Sequence, residues 1–194
     1  MINSNITHEG DRMQKEFECI EHYLYTEFNG QKRFKNGIDV GCGTNRLNDQ
    51  IISVDQQADP RFAHAQIVHN CKDLNIFTDN TLDFIFSSHC LEDFENIYDV
   101  FTNWWSKLKA NGFMLLLLPD MEECQCEFCK GSTRYPIVGA DNGNPSHRTN
   151  VGKKFINQML VTLKERGIIK YEVIQEDTLG HNETSSIDFV IKKL

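Results

Sequence analysis

Long hydrophobic runs are missing from this chain of 194 residues: the longest, Phe113 to Leu118, falls far short of the roughly 20 residues a bilayer-spanning helix needs. It reads as a buried strand, and no membrane is expected as a partner. Excess positive charge is missing too. Twenty Lys and Arg against 28 Asp and Glu give a formal net charge of −8, which opposes attachment to a phosphate backbone and leaves nucleic acid unfavoured. The opening segment Met1 to His8 is polar and lacks the basic and apolar regions of an export signal. Seven cysteines, an odd number, fit free thiols in a reducing compartment better than a disulfide framework. The expected location is therefore the cytoplasm.

No internal repeat and no linker interrupts the chain, so residues 1–194 read as a single domain, with a helical cap over 1–36 and a loop-rich insertion over 119–150. Met13, Phe17, Ile20, Leu24 and Phe28 recur at helical spacing. Short apolar segments follow at Ile38 to Val40, Ile51 to Val54, Gln66 to Val68 and Phe84 to Phe86. Residues 95 to 110 present Ile97, Val100, Phe101, Trp104, Trp105 and Leu108 on one helical face, with the two tryptophans as packing material. Asn111-Gly112 then supply a stop before the strand Phe113 to Leu118. Asn150 is the expected cap of a helix running through Val151, Phe155, Ile156, Met159, Leu160 and Leu163 to Gly167. Two strands, Ile168 to Ile174 and Ile187 to Ile191, are joined by the polar stretch Glu176 to Ser185. Alternating strands and helices predict a doubly wound α/β sheet, and the last two strands, lacking a crossover helix between them, an antiparallel C-terminal hairpin.

The most informative stretch is Gly37-Ile38-Asp39-Val40-Gly41-Cys42-Gly43-Thr44-Asn45, followed by Ile51-Ile52-Ser53-Val54-Asp55. It reads as a strand, a glycine turn that lets backbone approach a ligand, and a second strand ending in a carboxylate suited to the two hydroxyls of a ribose. A dinucleotide turn would carry a third glycine where Arg46 stands, and its acid follows about 20 residues on; Asp55 comes sooner. An NAD-dependent oxidoreductase is therefore the weaker alternative.

Asp39-Val40-Gly41-Cys42-Gly43-Thr44 resembles the first motif of the class I S-adenosylmethionine-dependent methyltransferases, D-x-G-x-G-x-G. The subgroup it is most similar to has a G-C-G-x-N turn and a shortened segment before the second acidic strand. The resemblance continues through Asp79 to Phe94, similar to the D-N-S-F-D strand and the S-S-H-x-L-E-H-F that follows it, with Asp93 in place of the second His, and through Trp105 to Gly112. It implies a mostly parallel, seven-stranded Rossmann-like sheet and S-adenosylmethionine as cofactor. It also implies that Asp39, Gly41 and Gly43, with Cys42 and Asn45 beside them, meet the methionine part of the cofactor, that Asp55, next to Gln56, accepts the ribose hydroxyls, and that Asn70 receives the adenine amino group. In an adjacent register Cys71 or Asp73 takes that last part. Ser87, Ser88 and His89 would lie beside the sulfonium and the acceptor entrance.

Methyl transfer needs a base only when the nucleophile must lose a proton, and His89, Asp120 and His147 are the candidates in loops after strands. Glu92 reads as an acid favoured at a helix start. Cys124, Cys126 and Cys129 are spaced for metal, yet three ligands are not four; free thiols are the simpler account and no metal is expected. The acceptor reads as a small molecule, and the oligomeric state is open. A non-catalytic cofactor-binding or interaction module on a degenerate methyltransferase domain is the other alternative, resting on the departures at Asn45, Asn70, Asp93 and Asn111.

Overall fold

The structure, a computed structural model, describes residues 36–43, 46–47, 51–56, 65–120, 148–181 and 184–194. The chain divides into two compact units, Met1–Lys35 and Asn36–Leu194, and all described residues lie in the second. The helix expected from the spacing of Met13 to Phe28 is outside them.

The described residues form a seven-stranded sheet in the order β3-β2-β1-β4-β5-β7-β6. Its strands are β1 Gly37–Val40, β2 Ile52–Asp55, β3 Ile67–Val68, β4 Leu82–Ser88, β5 Leu108–Pro119, β6 Tyr171–His181 and β7 Thr184–Lys193. The first five run parallel; β7 lies antiparallel between β5 and β6. Every residue of β1 is buried, Asp39 included, so the strand shows none of the in–out alternation of a half-exposed one. From β1 the chain goes outward to β2 and β3, then returns to place β4 on the other side of β1. That reversal opens a crevice at the carboxyl ends of β1 and β4, where α/β sheets bind ligands.

Helix α1, Ile97–Lys107, buries Ile97, Val100, Phe101, Trp104 and Trp105. Phe101 and Trp105 stack with ring centroids 5.6 Å apart, and the Trp104 indole N–H donates to the Cys71 carbonyl at 2.7 Å. The tryptophans are core, as expected. Helix α2, Lys153–Glu165, buries Ile156, Met159, Leu160 and Leu163 and ends at Gly167, whose φ of 71° turns the chain toward β6. Lys193, on β7, donates to the Trp105 and Leu108 carbonyls at 3.0 and 2.6 Å and so closes the C-terminal end of α1. No helix among the described residues is long and apolar enough to cross a membrane.

Most strand and helix ends move by a few residues, and three differences change how a segment is read. Helix α1 stops at Lys107, and β5 starts at once with Leu108 paired to Leu82; pairing then jumps to Phe84 with Phe113, and Asn111, at φ 63°, sits in the intervening bulge. Asn111-Gly112 thus shape a bulge within a strand instead of stopping a helix. Helix α2 begins two residues later than predicted, with Gly152 as its flanking residue and no side-chain cap. The stretch Glu176 to Ser185, read as a connection, is paired strand as far as His181 with Thr184.

Candidate functional site

The site grows from the end of β1. Strand pairing stops at Val40, and the Gly41 N–H donates to the Val54 carbonyl at 2.8 Å, which folds the turn back over the end of β2. Gly41 sits at φ 75° and Gly43 at φ 51°. A Cβ on Gly41 would lie 2.5 Å from both the Cβ and Sγ of Cys90, so position 41 must be bare for the turn to seat against the segment after β4. At the end of β2, Asp55 Oδ2 accepts the Gly43 N–H at 2.9 Å. The carboxylate and the glycine turn form one rim.

Asp39, one residue before the end of β1, is 2 % exposed, and its Oδ2 accepts the Leu47 N–H at 2.8 Å. Burial pushes its carboxyl up to about 7; the Leu47 hydrogen bond opposes that rise, the charge of Asp55 adds to it and Arg46 offsets part of it. Burial, then the charges of Asp39 and Asp55, pushes the Cys42 thiol up to about 12. The Cys90 thiol is also raised well above its ordinary range, first by a hydrogen bond with Cys71 and then by burial. Both cysteines are therefore thiols and not nucleophilic thiolates near neutral pH.

A cleft of about 190 Å³ opens between these elements. Six residues singled out from the sequence line it: Gly41, Gly43, Asp55, Gln56, Cys71 and His89. Others lie outside its wall. Asp39, Cys42 and Ser87 are buried, the Ser87 hydroxyl donating to the Val40 carbonyl at 3.0 Å and so tying β4 to β1. Ser88 is half-buried at the end of β4. Asn70 is exposed, and its Oδ1 accepts the Lys72 N–H at 2.9 Å in a local turn; Asp73 Oδ1 likewise accepts from Asn75 at 2.8 Å. Of the three adenine candidates, it is Cys71 that reaches the cleft. Asp120 is wholly buried just beyond β5. Asn45, His147 and the cysteines at 124, 126 and 129 lie outside the described residues.

Cys90, Asp93 and Phe94 complete the wall and were not anticipated. They come from the segment around a single 3-10 turn, Leu91–Asp93, too short to leave a periodic signal; only the motif Ser87 to Phe94 marks it. Within that turn Glu92 is wholly buried and its Oε1 lies 3.4 Å from His89 Nδ1. The cleft thus brings together the Asp55 carboxylate, the side-chain-free backbone of Gly41 and Gly43, and the His89 imidazole.

Residues 38–116 match the family model described as a methyltransferase domain. No curated protein sequence matches the chain. Solved structures share its fold: an S-adenosylmethionine-dependent methyltransferase from Archaeoglobus fulgidus is 15% identical with a TM-score of 0.59, covering 91% of this chain and 94% of that one. Another from Methanosarcina mazei is 13% identical at a TM-score of 0.62, covering 88% and 98%. The 1,6-didemethyltoxoflavin-N1-methyltransferase of Burkholderia thailandensis, with bound 1,6-didemethyltoxoflavin and S-adenosylhomocysteine, is 11% identical at 0.63, covering 96% and 83%.

Proposed function

We propose that the chain is a class I S-adenosylmethionine-dependent methyltransferase, a reading supported by the methyltransferase-domain match over residues 38–116 and by the shared fold, and that it transfers the methyl group of S-adenosylmethionine to a small-molecule acceptor. The observation that carries this reading is the joined rim of the cleft, in which Asp55 is held against the bare Gly41 to Gly43 turn through the Gly43 N–H. The residues present fit the cofactor. Asp55 would accept the ribose hydroxyls, the Gly41 and Gly43 backbone would border the methionine part, and Gln56 and Cys71 would border the nucleoside. Bound there, the cofactor supplies a methyl group already activated on a sulfonium sulfur.

The protein's own task is then orientation: holding the acceptor's nucleophile in line with the methyl carbon, with reacting atoms about 3–3.5 Å apart. Cys42 and Cys90, held as thiols, do not compete for the methyl group, because the thiolate is the nucleophile. To His89, which lines the cleft, we assign acceptance of a proton from the acceptor. Acceptor selectivity we assign to residues 1–36 and 119–150, the turns at the sheet's end being taken up by cofactor. A small acceptor fits the net charge of −8, and the Burkholderia enzyme of the same fold holds 1,6-didemethyltoxoflavin.

Calorimetry with S-adenosylhomocysteine tests the reading. Saturable binding by the native protein, with no response to NADH, is expected; neither heat nor thermal stabilisation at millimolar cofactor would overturn it.

A further inference from the structure

The methyltransferase reading gives His89 a role and leaves its buried neighbour Glu92 unexplained. Glu92 is 0 % exposed, while the His89 side chain is 32% exposed, and Nδ1 lies 3.4 Å from Oε1. The imidazole thus has one edge toward a buried acid and lines the cleft. Both partners are pinned by backbone. The His89 N–H donates to the Leu117 carbonyl at 2.9 Å, although a φ of 51° is unfavourable for a residue with a Cβ. The Glu92 carbonyl accepts from Arg148 and Thr149 at 2.9 and 3.0 Å, and the Thr149 hydroxyl donates to the Phe94 carbonyl at 2.7 Å. A carboxyl shut away from water costs stability unless something compensates it. Here the buried carboxyl lies 3.4 Å from an imidazole that a left-handed backbone keeps at the cleft.

From this pair we infer that Glu92 is a positioning residue: it holds the His89 imidazole with Nδ1–H toward the interior and Nε2 toward the cleft, ready to accept the proton of a protic acceptor. The inference rests on the methyltransferase reading and narrows its acceptor to a nucleophile that carries a proton, such as a hydroxyl. As the acceptor's lone pair forms the new bond to the methyl carbon, the carbon–sulfur bond breaks with its electron pair going to sulfur. The acceptor's proton passes to His89 Nε2, and the imidazolium so formed faces the Glu92 carboxylate. Asp55 and Asp93 also line the cleft; Glu92 is the buried acid whose Oε1 lies 3.4 Å from Nδ1.

Nitrogen-15 NMR of the imidazole, at a pH where His89 is neutral, tests the pair without knowledge of the acceptor. The native protein should show the proton on Nδ1. Glu92→Gln, which keeps a side-chain oxygen, should retain that tautomer, and Glu92→Leu should lose it to a mixture or to Nε2–H. A native Nε2–H tautomer overturns the inference whether or not either variant folds, and so does an unchanged tautomer in folded Glu92→Leu. S-adenosylhomocysteine binding by the native protein is scored separately: its absence overturns the methyltransferase reading and the acceptor role with it, while an Nε2–H tautomer alongside intact binding overturns only the positioning role.

Discussion

Asp55 and Gly43 are joined at 2.9 Å across the rim of the cleft, the carboxylate accepting the backbone N–H of the turn it faces. In the proposed function that side chain serves two ends, fixing the turn and presenting negative charge to the ribose hydroxyls. The two roles separate by mutation. Asp55→Asn keeps an oxygen for the Gly43 N–H but loses the charge, and should weaken S-adenosylhomocysteine binding about tenfold, whereas Asp55→Ala loses both and should cost about a hundredfold. Titration calorimetry on the two variants checks this. Equal losses would mean that the bond to Gly43 has no part in binding.

Gly41→Ala should be destabilising by about 1–3 kcal/mol, since it combines a left-handed φ with a collision against Cys90. Replacing Cys90 by Gly in the same chain removes the colliding atoms and should recover the collision's share, leaving about 1 kcal/mol for the conformation. Urea unfolding of the four proteins in the cycle measures the coupling; additive effects would contradict the contact.

Asp39 gives the unliganded protein a pH signature. Its carboxyl is raised, chiefly by burial, from 3.8 to about 7, so between those values the folded protein holds a proton that the unfolded chain has released. The stabilisation is therefore full below about pH 4 and is lost as pH rises to 7, by at most about 4 kcal/mol at 1.36 kcal/mol per unit. Asp39→Asn should flatten that part of the stability–pH curve. A native curve that climbs between pH 4.5 and 7 and is unchanged by the substitution would contradict the assignment.

Trp104→Phe removes the indole N–H that satisfies the Cys71 carbonyl at 2.7 Å. An unpaired buried carbonyl costs about 1–3 kcal/mol, and Cys71 lines the cleft. The expected outcome is lower stability together with weaker S-adenosylhomocysteine binding, read by urea unfolding and calorimetry. Loss of stability with intact affinity would show that Trp104 supports the core alone.

Much of the parallel half was legible in the sequence because buried strands leave apolar runs and their turns leave glycine or acid, as at Ile38 to Gly41 and Val54-Asp55. The polar stretch Glu176 to Ser185 concealed the length of the hairpin. Strand pairing there is made by backbone atoms, which polar side chains do not disclose, and hydrophobic alternation is weak evidence at a sheet edge. The bulge at Asn111 was hidden for a related reason: a left-handed Asn before Gly reads equally as the end of a helix or a kink in a strand. In the cleft, residues at strand ends were found by position, whereas Cys90, Asp93 and Phe94 come from around a three-residue turn with no period to follow. Glu92 carried a reading as a helix-start acid, and burial and its distance to His89 are properties of the folded chain alone.

Strand β7 lies inside the sheet although it is made after every other described strand. Until residues 184–193 have been synthesised, β5 presents its apolar Met114 to Leu118 segment as an open edge, the kind of surface that recruits other chains. Assembly of the described sheet thus waits on β7, and a nascent chain halted short of it would carry the Asp55–Gly43 rim on a body prone to aggregate.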